Sequence, residues 1–297
     1  MTLNDLKARL DLYEKLMRLD KPIGILLLLW PTLWGLSIAC GKQPQWKIIW
    51  IFILGTTLMR SAGCVVNDYA DQEFDKHVER TRDRPMAAGK VGKREALLLA
   101  GGMALCAFLL ILPLNRLTLW MSVPALALAI SYPYTKRFLP IPQAYLGIAF
   151  SFGIPMAFAA VLGKVPLLAW ELLAANLFWV VGYDTAYAMV DKPDDLKIGI
   201  KTSAITFGRF DAAAVIACYA IFIVAMAAIG WAQKTGSFWY LGLAAASLLM
   251  ALQYEPVMSR DRQKCFRAFL ANNHIGAVVF VGIALDSYFH PMSLLQP

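Results

Sequence analysis

Polar and apolar residues are not mixed along this chain; they alternate in blocks. Long apolar runs are separated by short clusters that hold most of the charge. A helix needs about 20 apolar residues to cross a bilayer core. Nine runs qualify, at roughly 22–40, 47–67, 94–112, 117–134, 142–162, 166–190, 212–232, 238–254 and 272–290. The pattern predicts an all-α, polytopic membrane protein with about nine transmembrane helices in one bundle. No linker or low-complexity stretch divides it, so residues 1–297 are expected to form one domain.

Composition excludes the soluble alternative. The chain is 59% hydrophobic and 16% charged, whereas about a quarter of an ordinary soluble domain is charged. No cleavable signal peptide is evident, because residues 1–21 carry Lys7, Arg9, Lys15, Arg18 and Lys21 and the first apolar run is long enough to span. Five scattered cysteines contain no CxxC pair, and three isolated histidines offer no zinc cluster.

The net charge of +8 is a topology signal. The N-terminus and the loops after even-numbered spans hold 22 of the 28 Lys and Arg residues. The opposite loops hold Lys42, Lys47, Arg116, Lys164 and Lys234, and Arg60 lies inside span 2. The positive-inside rule then places residues 1–21 in the cytoplasm and the C-terminus outside. In a bacterium this is the inner membrane, with the C-terminus periplasmic. The basic charge therefore does not imply a nucleic-acid partner, and no obligate protein partner is evident.

Two even-numbered spans end in acidic clusters. Asn67, Asp71 and Asp75 follow at i, i+4 and i+8, so a continuing helix would put them on one slowly turning face, with Arg60 on the same stripe. Asp68 and Glu73 would point elsewhere. Asp184 and Asp191 are seven apart at the end of span 6; Asp195 joins their face only if the helix passes Pro193, which the ring opposes. The placement of these motifs four spans apart is what a parallel duplication of a four-helix unit would produce. Clustered oxygens suit Mg²⁺, which shares its positions between a few carboxylates, water and phosphate. Empty, two facing acidic patches repel; a divalent cation with a multiply anionic ligand removes the repulsion. Arg80, Arg82, Arg84 and Lys201 in the adjoining loops fit a phosphate ligand. Each group also has a plainer reading: solvated helix-end acids, a buried hydrogen-bonded Asp184, and loop arginines that serve topology alone.

Span 4 ends in Tyr132-Pro133-Tyr134-Thr135-Lys136-Arg137, basic where its neighbours are acidic. It suits a carboxylate-bearing co-substrate, or an interfacial tyrosine belt with snorkelling cations.

These motifs resemble a known family. Asn67-Asp68-Tyr69-Ala70-Asp71-Gln72-Glu73-Phe74-Asp75 and Tyr183-Asp184-Thr185-Ala186-Tyr187 through Asp191-Lys192-Pro193-Asp194-Asp195 resemble the two aspartate-rich motifs of the UbiA superfamily of intramembrane prenyltransferases. Lys21-Pro22-Ile23-Gly24 and Leu28-Leu29-Trp30-Pro31-Thr32-Leu33-Trp34 are similar to segments of its bacterial 4-hydroxybenzoate polyprenyltransferases. The resemblance covers about residues 12–290. It implies a central cavity open to lipid, with Mg²⁺ held between the motifs by Asn67, Asp71, Asp75, Asp184, Asp191 and Asp195. It implies transfer of a polyprenyl group from polyprenyl diphosphate to 4-hydroxybenzoate, ortho to the hydroxyl, in ubiquinone synthesis. The expected catalytic residues are Asp71, Asp75, Asp191 and Arg137. Asn67, Arg60, Arg80, Arg84, Lys136 and Lys201 are expected on the diphosphate, with Arg137 and Tyr132 on the acceptor. The competing expectations are a family member with another aromatic acceptor, a cation-coupled transporter and a lipid-binding scaffold.

Overall fold

The computed structural model describes residues 3–292. Its helices, in chain order, are α1 (Leu3–Met17), α2 (Ile23–Cys40), α3 (Trp46–Ala70), α4 (Gln72–Asp75), α5 (Lys93–Ile111), α6 (Arg116–Thr135) and α7 (Pro142–Ser151). They continue with α8 (Gly153–Leu162), α9 (Leu167–Ile198), α10 (Ser203–Phe207), α11 (Asp211–Ala232), α12 (Ser237–Ala251), α13 (Tyr254–Met258) and α14 (Arg262–Phe289). Taking α7 with α8, α10 with α11 and α12 with α13, nine helical units among the described residues are long and apolar enough to cross a membrane. The expected all-α, multi-pass architecture is thus present.

Three boundaries differ from the apolar pattern. Helix α9 runs through Pro193 to Ile198, and Gly199 ends it in the left-handed region at φ 74°. Pro193 lies inside the helix and is exposed, so its ring meets no packed neighbour. Helix α14 starts at Arg262, ten residues before the expected span, because Asp261 caps it by accepting from the Lys264 amide at 2.9 Å. Its polar first turns reach beyond the apolar layer, where Arg262 pairs with Glu79 and Asp194. The fifth span is two helices, broken at Phe152.

The core lies where α2, α9, α11 and α14 meet. Trp34, Trp179 and Phe222 pack ring on ring with centroids 5.5, 5.8 and 6.0 Å apart. A buried polar chain stands beside them. Trp179 Nε1 donates to Asn272 Oδ1 at 2.8 Å, Asn272 Nδ2 donates to Tyr219 Oη at 2.9 Å, and Tyr219 donates to Gln253 Oε1 at 3.0 Å. In a membrane no water satisfies such groups, so they tie helices together. Large apolar side chains such as Leu98, Trp120, Val224 and Leu248 face outward, as lipid solvation requires.

Small residues let α12 and α14 touch backbone to backbone. A Cβ added at Gly282 would lie 2.8 Å from Gly242 Cα and 2.8 Å from the Phe238 carbonyl oxygen. Neither atom can move without shifting a helix. Gly282→Ala is therefore expected to cost about 1–3 kcal/mol. Gly101→Ala on α5, where a Cβ meets nothing within 4 Å, is expected to be neutral or stabilising by roughly 0.4–1 kcal/mol. Thermal unfolding of the detergent-solubilised variants measures the contrast; equal transitions would mean that the α12–α14 crossing is not close-packed.

Candidate active site

A cavity of about 810 Å³ runs along the bundle between α2, α3, α5, α6, α7, α8, α9 and α14. One end is polar and the other apolar. Helices α3 and α6 run side by side toward the polar end; along α3 the lining passes from Phe52 and Gly55 through Arg60 to Asn67 and Asp68.

The first acidic motif closes the polar end because α3 stops. Helix α3 ends at Ala70 and the chain turns at Asp71 into the single turn of α4. The loop beyond is fastened, with Gln72 Nε2 donating to the Met86 carbonyl and Thr81 Oγ1 to the Asp75 carbonyl, both at 3.0 Å. Asn67, Asp71 and Asp75 all line the cavity despite the break. Asp68, expected to point elsewhere, lines it too and is 1% exposed. Arg18 Nη2 binds it at 2.9 Å and Arg84 Nη1 at 3.1 Å. Arg84 also holds Asp75 Oδ2 at 2.8 Å. The turn after Ala70 makes room for these arginines, which helical periodicity alone does not register. Arg18 was missed; its signal was the run of charge just before the first span.

Lys136 enters from the end of α6. Its Nζ lies 2.6 Å from Asp71 Oδ2 and 3.2 Å from Asn67 Oδ1. Burial works against its charge, but the Asp71 carboxylate outweighs burial and holds the ammonium pKa above its ordinary value. The cation is therefore permanent at neutral pH.

The second motif faces the first. Asp184, Asp191 and Asp195 on α9 all line the cavity, Asp195 because the helix continues past Pro193. Arg80 spans the gap: its Nε donates to Asp191 Oδ1 at 3.0 Å and its Nη2 to Asp191 Oδ2. Its guanidinium lies 4.5 Å from the Tyr187 ring centroid, and Tyr187 stacks on Phe269 at 4.4 Å. Burial again opposes the Arg80 charge, yet Tyr187 and Asp191 keep its pKa above the usual value. Gln143 lines the cavity and accepts from the Ser203 amide at 2.8 Å. Sequence reading did not single out Gln143. Among the described residues, Asp184 and Asp195 carry no ion pair, while Asp68, Asp71, Asp75 and Asp191 do.

Arg60 sits deeper. Its Nε donates to the Gly24 carbonyl at 3.2 Å, its Nη1 to Cys64 Sγ at 3.0 Å, and it lies 5.4 Å from the Phe150 ring centroid. Of the cavity arginines it alone has no ion pair among the described residues; Arg18, Arg80 and Arg84 each hold an aspartate. Tyr132 lines the same region. So does Tyr183, whose buried hydroxyl has no hydrogen-bond partner among the described residues.

Two expected site residues lie outside. Arg137 is exposed and is not part of the cavity wall. Its Nη2 donates to the Ala70 carbonyl at 2.9 Å, and the group stacks near Phe74 and Tyr134. It thus caps the end of α3, where a cation complements the helix dipole. The cause is rotation: neighbouring residues at a helix end point in different directions, and Lys136 takes the inward one. Lys201 Nζ donates to the Phe138 carbonyl at 3.0 Å, also outside the cavity. Arg82 is not in the wall either.

Comparison with known proteins gives a consistent result. The family model described as the UbiA prenyltransferase family matches residues 28–276. A protein of Nitrosospira multiformis named 4-hydroxybenzoate octaprenyltransferase is 66% identical over 281 residues, covering 95% of this chain and 97% of that one. A protein of Dechloromonas aromatica with the same name is 62% identical over 282 residues, covering 95% of each. Among solved structures, a UbiA homolog from Aeropyrum pernix K1 aligns with a TM-score of 0.78 at 25% identity, over 88% of this chain and 97% of that one. A UbiA homolog from Archaeoglobus fulgidus, bound to GPP and Mg2+, shares the fold with a TM-score of 0.65 at 15% identity, over 94% of this chain and 99% of that one. A bundle that brings two aspartate-rich helix ends to one cavity, and a family match over most of its length, lead to one conclusion: the chain belongs to the UbiA prenyltransferase family.

Proposed function

We propose that this enzyme transfers a polyprenyl group from polyprenyl diphosphate to the ring carbon ortho to the hydroxyl of 4-hydroxybenzoate, a step of ubiquinone synthesis, with Mg²⁺ as cofactor. One observation carries the reading: a single cavity joins a charged end, lined by both acidic motifs, to an apolar bore. An amphiphile with a multiply anionic head and a long apolar tail matches both ends. The names of the relatives support the acceptor and the donor class.

The donor set fits a hard cation, since Asn67, Asp71, Asp75, Asp184, Asp191 and Asp195 offer only oxygens. Among the described residues no three acids form a ready-made metal group, so the two motifs would share a cation through the diphosphate. When bound, Mg²⁺ neutralises the leaving diphosphate. Lys136, Arg80 and Arg84 already face this space and can exchange carboxylate partners for phosphate oxygens. The allylic C–O bond then breaks with its electron pair going to the diphosphate. This leaves an allylic carbocation in a cavity whose wall includes the stacked Tyr187 and Phe269. The apolar wall keeps water from capturing that cation. The ortho carbon of the phenol attacks it, and loss of the ring proton restores aromaticity.

Arg60, with the Tyr132 and Tyr183 hydroxyls, is the group we assign to the acceptor carboxylate. It is a planar fork without a carboxylate partner inside the cavity, whereas Arg137 lies outside. Charge placement supports a bacterial inner-membrane location with the polar end of the cavity and the N-terminus cytoplasmic. Arg18, just past α1, binds Asp68 and puts the N-terminal segment at that end of the cavity.

Turnover is expected to stop in excess EDTA and to return with Mg²⁺, and Asp71→Ala and Asp191→Ala are each expected to abolish product while still inserting in the membrane. Normal activity in EDTA, or in either variant at saturating Mg²⁺, would remove the bridged-cation assignment. Arg60→Ala is expected to raise the acceptor KM at least tenfold, since a charge-assisted hydrogen bond is worth roughly 1.5–3 kcal/mol, with Lys restoring only part. Arg137→Ala is expected to leave the acceptor KM within about threefold, consistent with the small effect of an exposed contact. Steady-state kinetics with labelled 4-hydroxybenzoate separates the two; the reverse ranking would return the carboxylate to Arg137.

A further inference from the structure

The bore depends on a glycine that packing does not explain. Most glycines inside these helices stand against a neighbour. A Cβ at Gly35 would meet the Ile154 carbonyl at 3.1 Å, one at Gly147 the Leu177 side chain at 3.0 Å, and one at Gly182 the Tyr219 ring at 2.7 Å. Gly55 and Gly63 on α3, like Gly101 and Gly102 on α5, differ: an added Cβ meets nothing within 4 Å, and of these four only Gly55 and Gly63 line the cavity. Glycine weakens a helix interior. At the two on α3 the missing side chain leaves the cavity wall open.

The level of Gly55 follows from helix register. Lys136 of the α6 end meets Asn67 of α3, and both helices run toward the polar end. Gly55 is twelve residues before Asn67, about 18 Å along the helix. The same step back from Lys136 leads to the neighbourhood of Ala125, which also lines the bore. Two small residues therefore face the bore at one depth. Phe52, one turn farther from the head on α3, and Leu126, next to Ala125, also line the bore. A two-isoprene tail on a diphosphate held at Asn67 and Asp71 ends short of this depth, whereas an eight-isoprene tail that follows the bore reaches past it.

Resting on the donor assignment above, we propose that Gly55 is the specificity position for prenyl chain length, the gap through which a long tail reaches the far end of the bore. A large side chain there would fill the passage and leave the head site intact. Gly63, one turn from Arg60 and eight residues nearer the head, would obstruct donors of every length.

The test compares octaprenyl and geranyl diphosphate as donors to 4-hydroxybenzoate, using the full-length protein in liposomes with Mg²⁺. The readout is the ratio of kcat/KM for the long donor to that for the short one. Gly55→Phe is expected to lower this ratio at least tenfold, and Gly55→Leu, a milder variant that serves if phenylalanine prevents folding, at least threefold. Gly63→Phe is expected to reduce both donors together, with the ratio changing less than in Gly55→Phe. A ratio unchanged in the Gly55 variants, or lowered equally by Gly63→Phe, would overturn the assignment. A wild-type protein that uses neither donor would instead overturn the donor reading, and the gate with it.

Discussion

The structure depends on how charge is kept at membrane depth. Isolated charges in an apolar bundle are expensive and survive only when paired or solvated by a polar cavity. Here the solution is reciprocal. Lys136 holds Asp71, Arg84 holds Asp68 and Asp75, and Arg80 holds Asp191. Arg80, from the loop after the first motif, ties that motif to Asp191 of the second, while Lys136 fastens α6 to the first motif and Arg84 folds the loop back over it. These pairs need not add net stability. In the function proposed above, the same cations and carboxylates would form a pre-positioned shell for a diphosphate and a divalent cation.

From that constraint the rest of the arrangement follows. Asp68, Asp71 and Asp75 sit where α3 ends, and there the following loop and the end of α6 bring Arg84 and Lys136 within reach, while Asp191, inside α9, is reached by Arg80 of the same loop. Helix α9 must continue past Pro193, because Asp195 would otherwise leave the cavity. The charged end needs an anchored wall, which the loop after α4 supplies through Thr81 and Gln72. The Trp34–Trp179–Phe222 stack and the Asn272 network keep α9 fixed against α2, α11 and α14. The remaining space is apolar and suits a tail.

Much of this was legible in the residue order, and the reasons for the rest are specific. Nine apolar runs separated by charge predict the spans because the bilayer demands length and hydropathy. The spacing of Asn67, Asp71 and Asp75 predicts a shared face, and the three do share the cavity, although α3 ends between them. Asp68 escaped because the chain turns at Asp71 and brings Arg84 back over it. The start of α14 escaped because its first turns are polar and lie outside the apolar pattern. The resemblance gives Lys136 to the diphosphate and Arg137 to the acceptor, but adjacent residues at a helix end diverge, and the rotation of α6 turns Lys136 inward and leaves Arg137 outside the cavity wall. Arg60 was visible as a lone charge within a span, but its lack of an acid partner among the described residues was not, because pairing is a matter of tertiary contact.

The central claim is that one cavity presents a polyprenyl diphosphate to 4-hydroxybenzoate. The most direct measurement is a product analysis with membranes containing this protein, ring-labelled 4-hydroxybenzoate, octaprenyl diphosphate and Mg²⁺. The expected product carries the prenyl chain on the carbon ortho to the hydroxyl, and its formation requires all three additions. Absence of any prenylated product, attachment through the carboxylate or hydroxyl oxygen, or equal product without the divalent cation would contradict the account.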